Sequence, residues 1–379
     1  MKIGILSPAF GLGGASKVAT YVGNSLQDKE TEVFFVSYLN SVEPEGLVKH
    51  YNIYKKKIFL VEYFNKLRKY LAYKRKGYFL PENYVKSEIK HLKIVFKKEN
   101  PDVIIFNTFI PAILFSSFIK KEFPNVKLVT WMHSDPEYSL NHIAKFYQKI
   151  YKESFKKVDK VICLSKDVGS ILKSYGANVR VIYNPLILRT NEISKLTNNV
   201  ISFTARLDIY IKGIDYLCKL ANYLPEKWYI RVAGDGTREE KEKFSSLILD
   251  NKVEDKIKFV GPLKGEKLID HYLSSSIFVS TSRTEGLPLV MIEALSVGLP
   301  IVSFDHKGAK EILLDGKVGI VIANENIFEM SKKIKFIASN HSIMKEYQSR
   351  SLKRAKDFKA NKIIQEWKTL LNDLVSEEN

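Results

Sequence analysis

The stretch Ile277-Phe-Val-Ser280-Thr-Ser-Arg-Thr-Glu285-Gly-Leu-Pro-Leu-Val-Met-Ile-Glu293-Ala-Leu-Ser-Val-Gly298-Leu-Pro300-Ile-Val-Ser-Phe304 reads as strand, polar loop, helix and strand. A short apolar, β-branched run ends at Ser280, the loop carries Glu285, and Pro288 suits the first turn of a helix. Two strands joined through a helix make a βαβ unit, whose strands run parallel. The same alternation extends outward in both directions. Candidate strands are Ile3–Leu6, Val33–Val36, Val103–Phe106, Leu128–Trp131, Val161–Leu164, Val179–Ile182, Val200–Phe203, Trp228–Val232, Ile257–Val260, Ile277–Ser280, Ile301–Phe304 and Gly319–Val321. Helical patterns separate many of them, so the fold class is α/β with mostly parallel sheets.

A chain of 379 residues exceeds one ordinary core and suits two domains. Asn184-Pro185 and the polar stretch Arg189–Asn199 precede a fresh strand, which puts the boundary near Tyr183–Asn198. The expected division is 1–185 and 186–357. The last helix, about Asn361–Val375, carries an apolar stripe at Ile363, Ile364, Trp367, Leu370 and Leu371, and completing the first domain with 358–379 would bury it. With 45% hydrophobic and 27% charged residues, the composition excludes disordered and fibrous classes. The two cysteines, Cys163 and Cys218, are far apart and form neither a disulfide framework nor a zinc site. Val103–Ile119 lacks charge but is interrupted by Asn107 and Pro111, and it reads as a buried strand, a loop and a packed helix rather than a membrane span. Few apolar residues precede the first polar turn, too few for a signal peptide, so the expected location is cytoplasmic.

Three constellations carry chemistry. Phe10-Gly-Leu-Gly-Gly-Ala-Ser-Lys17 follows the first strand and opens a helix. Its glycines, Gly13 and Gly14 among them, let backbone N–H groups approach an anion, although a plain tight turn would look alike. A dinucleotide fingerprint fits poorly, because Ser16 stands at the third glycine position and Val36-Ser37-Tyr38 offers no acid for a ribose. Thr204-Ala-Arg206-Leu-Asp-Ile-Tyr-Ile-Lys212-Gly213 again follows a strand, where open α/β sheets bind ligands. Arg206 and Lys212 could neutralise a diphosphate, or they could be two solvated surface charges. The chain has no Asp-x-Asp pair, which favours a metal-free solution with no cofactor. In the opening stretch, Glu293 falls within the apolar run Leu289–Leu295. A buried carboxylate there needs a partner, either ribose or sugar hydroxyls or an internal arginine.

These segments resemble the retaining glycosyltransferases of family four, with the GT-B architecture of two facing Rossmann-like domains and a cleft between them. The resemblance spans most of the chain and is densest from Val200 to Ala323. Its marks are the Glu285/Glu293 pair spaced by seven residues, Arg206 with Lys212, the Gly13-Gly14 loop, Ala233-Gly-Asp-Gly236, Val260-Gly261 and Tyr183-Asn184-Pro185. It implies that Arg206 and Lys212 bind the donor diphosphate, and that Glu285 faces the transferred sugar beside the Gly286 and Leu287 amides. Glu293 would hold the ribose, Gly13 and Gly14 would close on the phosphates, and Gly234 and Val260 would line the donor site. His133, in Trp131-Met-His-Ser-Asp135, matches a histidine that contacts the sugar, although a single histidine after a strand is often structural. The chain departs from many relatives at Leu287-Pro288, where they carry an aromatic residue and glycine, so the sugar is left open between a hexose and an N-acetylhexosamine. UDP is the expected nucleotide. Alternatives on the same architecture are a sugar-nucleotide epimerase or a phosphorylase.

The formal net charge of +18 calls for an acidic partner. It is concentrated in Lys55–Tyr78, where Lys55, Lys56, Lys57, Lys66, Arg68, Lys69, Lys74, Arg75 and Lys76 interleave with Phe59, Tyr63, Phe64, Tyr70, Tyr73 and Tyr78. A basic, aromatic amphipathic stretch reads as a surface for an anionic membrane, with an ordinary solvated face as the plainer reading. The expectation is a peripheral protein on the inner membrane face, acting on a lipid-linked saccharide of cell-surface glycan assembly. A basic nucleic-acid binder is the rival of another class. It explains neither Glu293 nor phosphate-suited loops in both halves, so nucleic acid is not expected as a partner.

Overall fold

The computed structural model describes residues 1–11, 13–39, 46–54 and 59–376, with residues 59–62 described by their backbone alone. Contacts divide the chain into two units, Met1–Pro185 with Ile363–Asn379, and Leu186–Lys362. Lys55, Lys56 and Lys57 lie outside the described residues.

Among the described residues, the first unit holds seven strands: β1 (Lys2–Ser7), β2 (Glu32–Ser37), β3 (His50–Asn52), β4 (Val103–Asn107), β5 (Lys127–Trp131), β6 (Lys160–Cys163) and β7 (Val179–Val181). They pair in the order β3-β2-β1-β4-β5-β6-β7, with every pair parallel. Helices cover such a sheet on both sides, and β4 is accordingly buried at every position. The final helix, Ala360–Ser376, buries Ile363, Trp367, Leu370, Leu371 and Leu374. Trp367 packs on Trp131 of β5 with ring centroids 4.6 Å apart, and Lys368 meets Asp28 at 2.6 Å, so from Ile363 onward the helix belongs to the first unit.

The second unit holds β8 (Val200–Thr204), β9 (Tyr229–Ala233), β10 (Ile257–Gly261), β11 (Ile277–Ser280), β12 (Ile301–Phe304) and β13 (Ile320–Ile322). Their order is β10-β9-β8-β11-β12-β13, again all parallel. Its entry and exit adjoin: Leu186 N donates to Phe358 O at 2.7 Å. Both sheets are doubly wound, and in each the strand order reverses once, between β1 and β4 and between β8 and β11. Ligands of open α/β sheets lodge at the carboxyl ends of the strands flanking such a reversal.

Three local details differ from the sequence expectation. β3 was not foreseen, because His-Tyr-Asn is three polar or aromatic residues at a sheet edge. The uncharged stretch 103–119 is strand and helix, but a single residue joins them rather than a loop: Thr108, with φ 103°. That backbone is uncommon for a β-branched residue. Pro288 caps the helix Leu289–Ser296 instead of sitting in its first turn. Among the described residues, no helix is long and apolar enough to cross a membrane.

Candidate active site

In the second unit the chemistry gathers where β8 and β11 part. The loop after β8 brings Arg206 and Lys212, and the loop after β11 brings Glu285. Lys212 Nζ forms an ion pair with the Glu285 carboxylate, and Ser282 Oγ donates to the same oxygen at 3.1 Å. Burial pushes the Glu285 carboxyl upward in pKa. The Lys212 charge, the attraction of His306 and the bonds from Lys212 and Ser282 outweigh that and hold it below the ordinary carboxylate value. Glu285 is therefore an anion at neutral pH.

The two loops are stapled together by residues that the sequence reading passed over. Arg283 binds Asp215 in a bidentate grip at 2.9 and 2.7 Å and also donates to Tyr210 O at 2.7 Å. Its guanidinium lies 4.0 Å from the Tyr216 ring centroid, so a planar cation is stacked as well as paired. Thr281 Oγ1 donates to Lys212 O at 3.1 Å, and Arg283 N donates to Ile211 O at 2.9 Å. Gly213 stands at φ 61°, and a Cβ there would come within 1.9 Å of Thr281 O. Only glycine allows that approach. The adjacency of Arg283 to Glu285 in the opening stretch was the available signal.

Arg206 is the more exposed cation and pairs with Asp208 at 2.8 Å. The Gly234 and Val260 positions share the rim: Ala205 N donates to Ala233 O at 3.0 Å, and Gly234 N donates to Gly261 O at 2.9 Å. Val260 is exposed, whereas Leu287 is buried. Glu293, in the helix Leu289–Ser296, is 4% exposed and accepts a hydrogen bond from Tyr272 Oη at 3.0 Å.

In the first unit the corresponding reversal carries glycines and a histidine. Gly13 caps the helix Gly14–Leu26 with φ 105°, and none of the described residues lies within 4 Å of where its Cβ would be. His133 follows β5, and its Nε2 bonds Asn107 Oδ1 at 2.8 Å. Asn107 Nδ2 donates to Ser7 Oγ at 3.0 Å, and Ser7 Oγ donates to Ala9 O at 2.9 Å. A carbonyl only accepts, so the whole chain runs one way and Nε2 is the protonated nitrogen. Burial lowers the His133 pKa to about 3, so the imidazole is neutral at physiological pH, with Nδ1 as an acceptor.

The helix Phe59–Lys76 presents an unusual face. From residue 63 on, none of its residues is buried, and only Asn65, Lys69 and Ala72 are even partly covered. Tyr63, Phe64, Tyr70 and Leu71 are each more than half exposed. Lys69 lies 5.1 Å from the Tyr84 ring centroid, Arg68 lies 5.9 Å from the same ring, and Tyr73 packs on Phe146 at 4.7 Å. Lys66, Lys74, Arg75 and Lys76 are exposed on the same helix.

Comparison with known proteins agrees with this layout. A family described as Glycosyltransferase Family 4 matches residues 12–189, and one described as Glycosyl transferases group 1 matches 187–357. An uncharacterized glycosyltransferase of Haemophilus influenzae is 30% identical over 378 residues, spanning 98% of this chain and 99% of the relative. A Campylobacter jejuni GalNAc-alpha-(1->4)-GalNAc-alpha-(1->3)-diNAcBac-PP-undecaprenol alpha-1,4-N-acetyl-D-galactosaminyltransferase is 24% identical over 99% of each chain. Among solved structures, a Staphylococcus aureus TarM mutant bound to fondaparinux, alpha-GlcNAc-glycerol and UDP shares the fold. Its TM-score is 0.76 at 16% identity, over 98% of this chain and 99% of that one. The two family models, which together span residues 12–357, and the Haemophilus relative matched along nearly the whole chain place the protein in glycosyltransferase family 4.

Proposed function

We propose that this glycosyltransferase moves a hexose or N-acetylhexosamine from a UDP-sugar, with retention of the anomeric configuration, onto a lipid-linked saccharide at an anionic membrane surface. The observation that carries the donor half is the ion pair of Lys212 with Glu285, on the loops that follow β8 and β11, with the exposed Arg206 on the first of those loops. Two cations within one loop suit a diphosphate that gains charge as it leaves, and they act without a metal. Glu285, kept anionic by Lys212, faces the sugar. The helix Leu289–Ser296 brings Glu293 toward the ribose, with Gly234 and Val260 on the rim and the Gly286–Leu287 amides beside Glu285.

In this reading the departing diphosphate and the incoming hydroxyl share one face of the sugar, and a diphosphate oxygen takes the acceptor proton. The bond from the anomeric carbon to the diphosphate oxygen breaks as the bond to the acceptor oxygen forms. The protein stabilises charge and holds both reactants in place. His133, neutral, accepts a hydrogen bond from a sugar hydroxyl through Nδ1, and Gly13 and Gly14 offer amides to phosphate. The name of the Campylobacter relative, with its undecaprenol-linked acceptor, supports a lipid-linked acceptor. The UDP and alpha-GlcNAc-glycerol of the TarM complex support the nucleotide and an alpha product.

The membrane half rests on the helix Phe59–Lys76, where Tyr63, Phe64 and Tyr70 point outward among its cations. That arrangement costs solvation in water and suits a bilayer interface, and the cytoplasmic leaflet supplies the negative charge. Calorimetry against UDP, GDP, ADP and UDP-sugars tests the donor. Selective binding of one diphosphate that disappears in Arg206→Ala is expected, and no binding of any would overturn the reading. NMR of the product tests retention, and an inverted anomeric centre would refute that part.

A further inference from the structure

Tyr272 and Glu293 are the visible end of a longer chain of polar groups crossing the second unit. Arg231, on β9, donates from Nε to His271 Nδ1 at 3.2 Å. His271 Nε2 lies 3.2 Å from Thr204 Oγ1, at the carboxyl end of β8. Tyr272 Oη donates to Glu293 Oε2 at 3.0 Å, and the Thr204 side chain acts on the same phenol, drawing its pKa down against the rise caused by burial. His271, Tyr272 and Glu293 are buried, at 3%, 0% and 4% exposure.

Both ends of the chain have fixed polarity. A guanidinium donates and never accepts, and at the other end the Tyr272 phenol donates to Glu293. His271 Nδ1 is therefore an acceptor, which puts the imidazole proton on Nε2, facing Thr204. Tyr272 has one hydroxyl proton and gives it to Glu293, so toward Thr204 the phenol oxygen can act only as an acceptor. Burial, reinforced by the Arg231 charge, lowers the His271 pKa to about 3, so the ring stays neutral and the sequence of donors is not interrupted. Burial, with the Glu293 charge, pushes the Tyr272 phenol well up, so it keeps its proton. Arg231 is itself anchored, donating to His271 O and Ser274 Oγ at 2.6 Å each and to Ser275 Oγ at 3.1 Å.

We propose that Arg231, His271, Thr204 and Tyr272 are positioning residues that orient the Glu293 carboxylate toward the ribose hydroxyls, and that the enzyme's preference for a ribonucleotide over its deoxy analogue depends on them. The proposal rests on the ribose role given above to Glu293. A glutamate carboxylate on a short helix can rotate about three bonds. One strong directional donor removes that freedom before the ligand arrives, so less entropy is lost on binding. Ordered chains of this kind also polarise each successive bond.

The test is calorimetry of the full chain with UDP, 2′-deoxy-UDP and 3′-deoxy-UDP. Wild type should prefer UDP over at least one deoxy analogue by about tenfold, the worth of a hydrogen bond to a charged group. In Tyr272→Phe, UDP should weaken about tenfold while the disfavoured deoxy analogue changes less than about twofold, so the preference collapses. If wild type binds all three alike, the ribose role of Glu293 falls. If wild type discriminates and Tyr272→Phe discriminates equally, the positioning role falls instead. Thr204→Val and Thr204→Ser supply a second pair should Tyr272→Phe fail to fold. Thr204→Ser keeps the hydroxyl and should keep the wild-type preference, and Thr204→Val should lower it about threefold. Equal preference in the two Thr204 variants would overturn the chain beyond Tyr272.

Discussion

The two sheets reverse their strand order in the same way, yet they furnish the reversal differently. In the second unit it is ionic: Arg206, Lys212 and Glu285 stand at the carboxyl ends of β8 and β11, with Glu293 in the helix that follows. In the first it is neutral: Gly13, Gly14 and an uncharged His133 tied to Asn107 and Ser7. The first unit spends its cations elsewhere, on the outward face of the helix Phe59–Lys76. One topology thus serves two electrostatic tasks, and the charge placement separates them. Ions at the reversal suit a leaving diphosphate, while a neutral reversal, with an uncharged imidazole and open backbone amides, suits sugar hydroxyls and phosphate oxygens without adding a countercharge.

The sharpest way to break this contrast is Lys212→Ala. Removing a donor aimed at developing charge should cut kcat about 100- to 1000-fold. A loss under about tenfold would mean that the second unit's charge is ornamental. Next is the first unit's displaced charge. Replacing Lys66, Arg68, Lys69, Lys74, Arg75 and Lys76 with serine should lower affinity for anionic phospholipid vesicles by about 100-fold or more, since each basic residue near such a surface contributes about 1 kcal/mol. Unchanged vesicle binding would leave the helix as a solvated face.

A third test uses pH. The folded pKa of His271, about 3, lies below its ordinary value of 6.5, so the unfolded chain takes up a proton through that window and the folded chain does not. Stability should therefore fall as pH drops below 6.5, by roughly 2 kcal/mol at pH 5 from this one group. Urea melts at pH 7.5 and pH 5 should show a smaller acid loss in His271→Gln, and an identical loss would contradict the buried neutral imidazole. The smallest expected effect is at His133. His133→Gln should lower turnover about tenfold while calorimetric UDP affinity holds, because a neutral hydrogen bond to sugar is removed and the diphosphate contacts are not. Weakened UDP binding there would blur the division between the two reversals.

The architecture was readable because fully parallel strands are buried on both faces and therefore appear as short unbroken apolar runs. Most of the foreseen strands are of that kind; the edge strands β7 and β10 were found despite a charged residue and exposed positions, and β3, which was missed, is three residues at an edge. The motif residues were readable for a different reason: Gly13, Arg206, Lys212 and Glu285 sit just past strand ends, where a ligand would be. What contacts what was not readable. Lys212 and Glu285 are 73 positions apart, and only the adjacency of β8 and β11 brings them together. Burial of Glu293 followed from its apolar neighbours. Its partner did not, since Tyr272 looks like any core aromatic and its hydroxyl acquires meaning through Thr204 and His271. Likewise the sequence showed a basic, aromatic helix, but not that Tyr63, Phe64, Tyr70 and Leu71 point away from the protein.

Leu186 and Phe358, hydrogen-bonded across the mouth of the second unit, have an evolutionary consequence. A block of chain whose first and last residues touch can be lifted out and replaced without stretching the segments that flank it. The groups proposed here to choose the nucleotide all lie within that block, whereas the outward-facing basic helix lies outside it. Recombination at these two points would graft a new donor preference onto the acceptor and membrane roles proposed for the first unit in a single event. Chimeras joined at 186 and 358 are the laboratory version of that event.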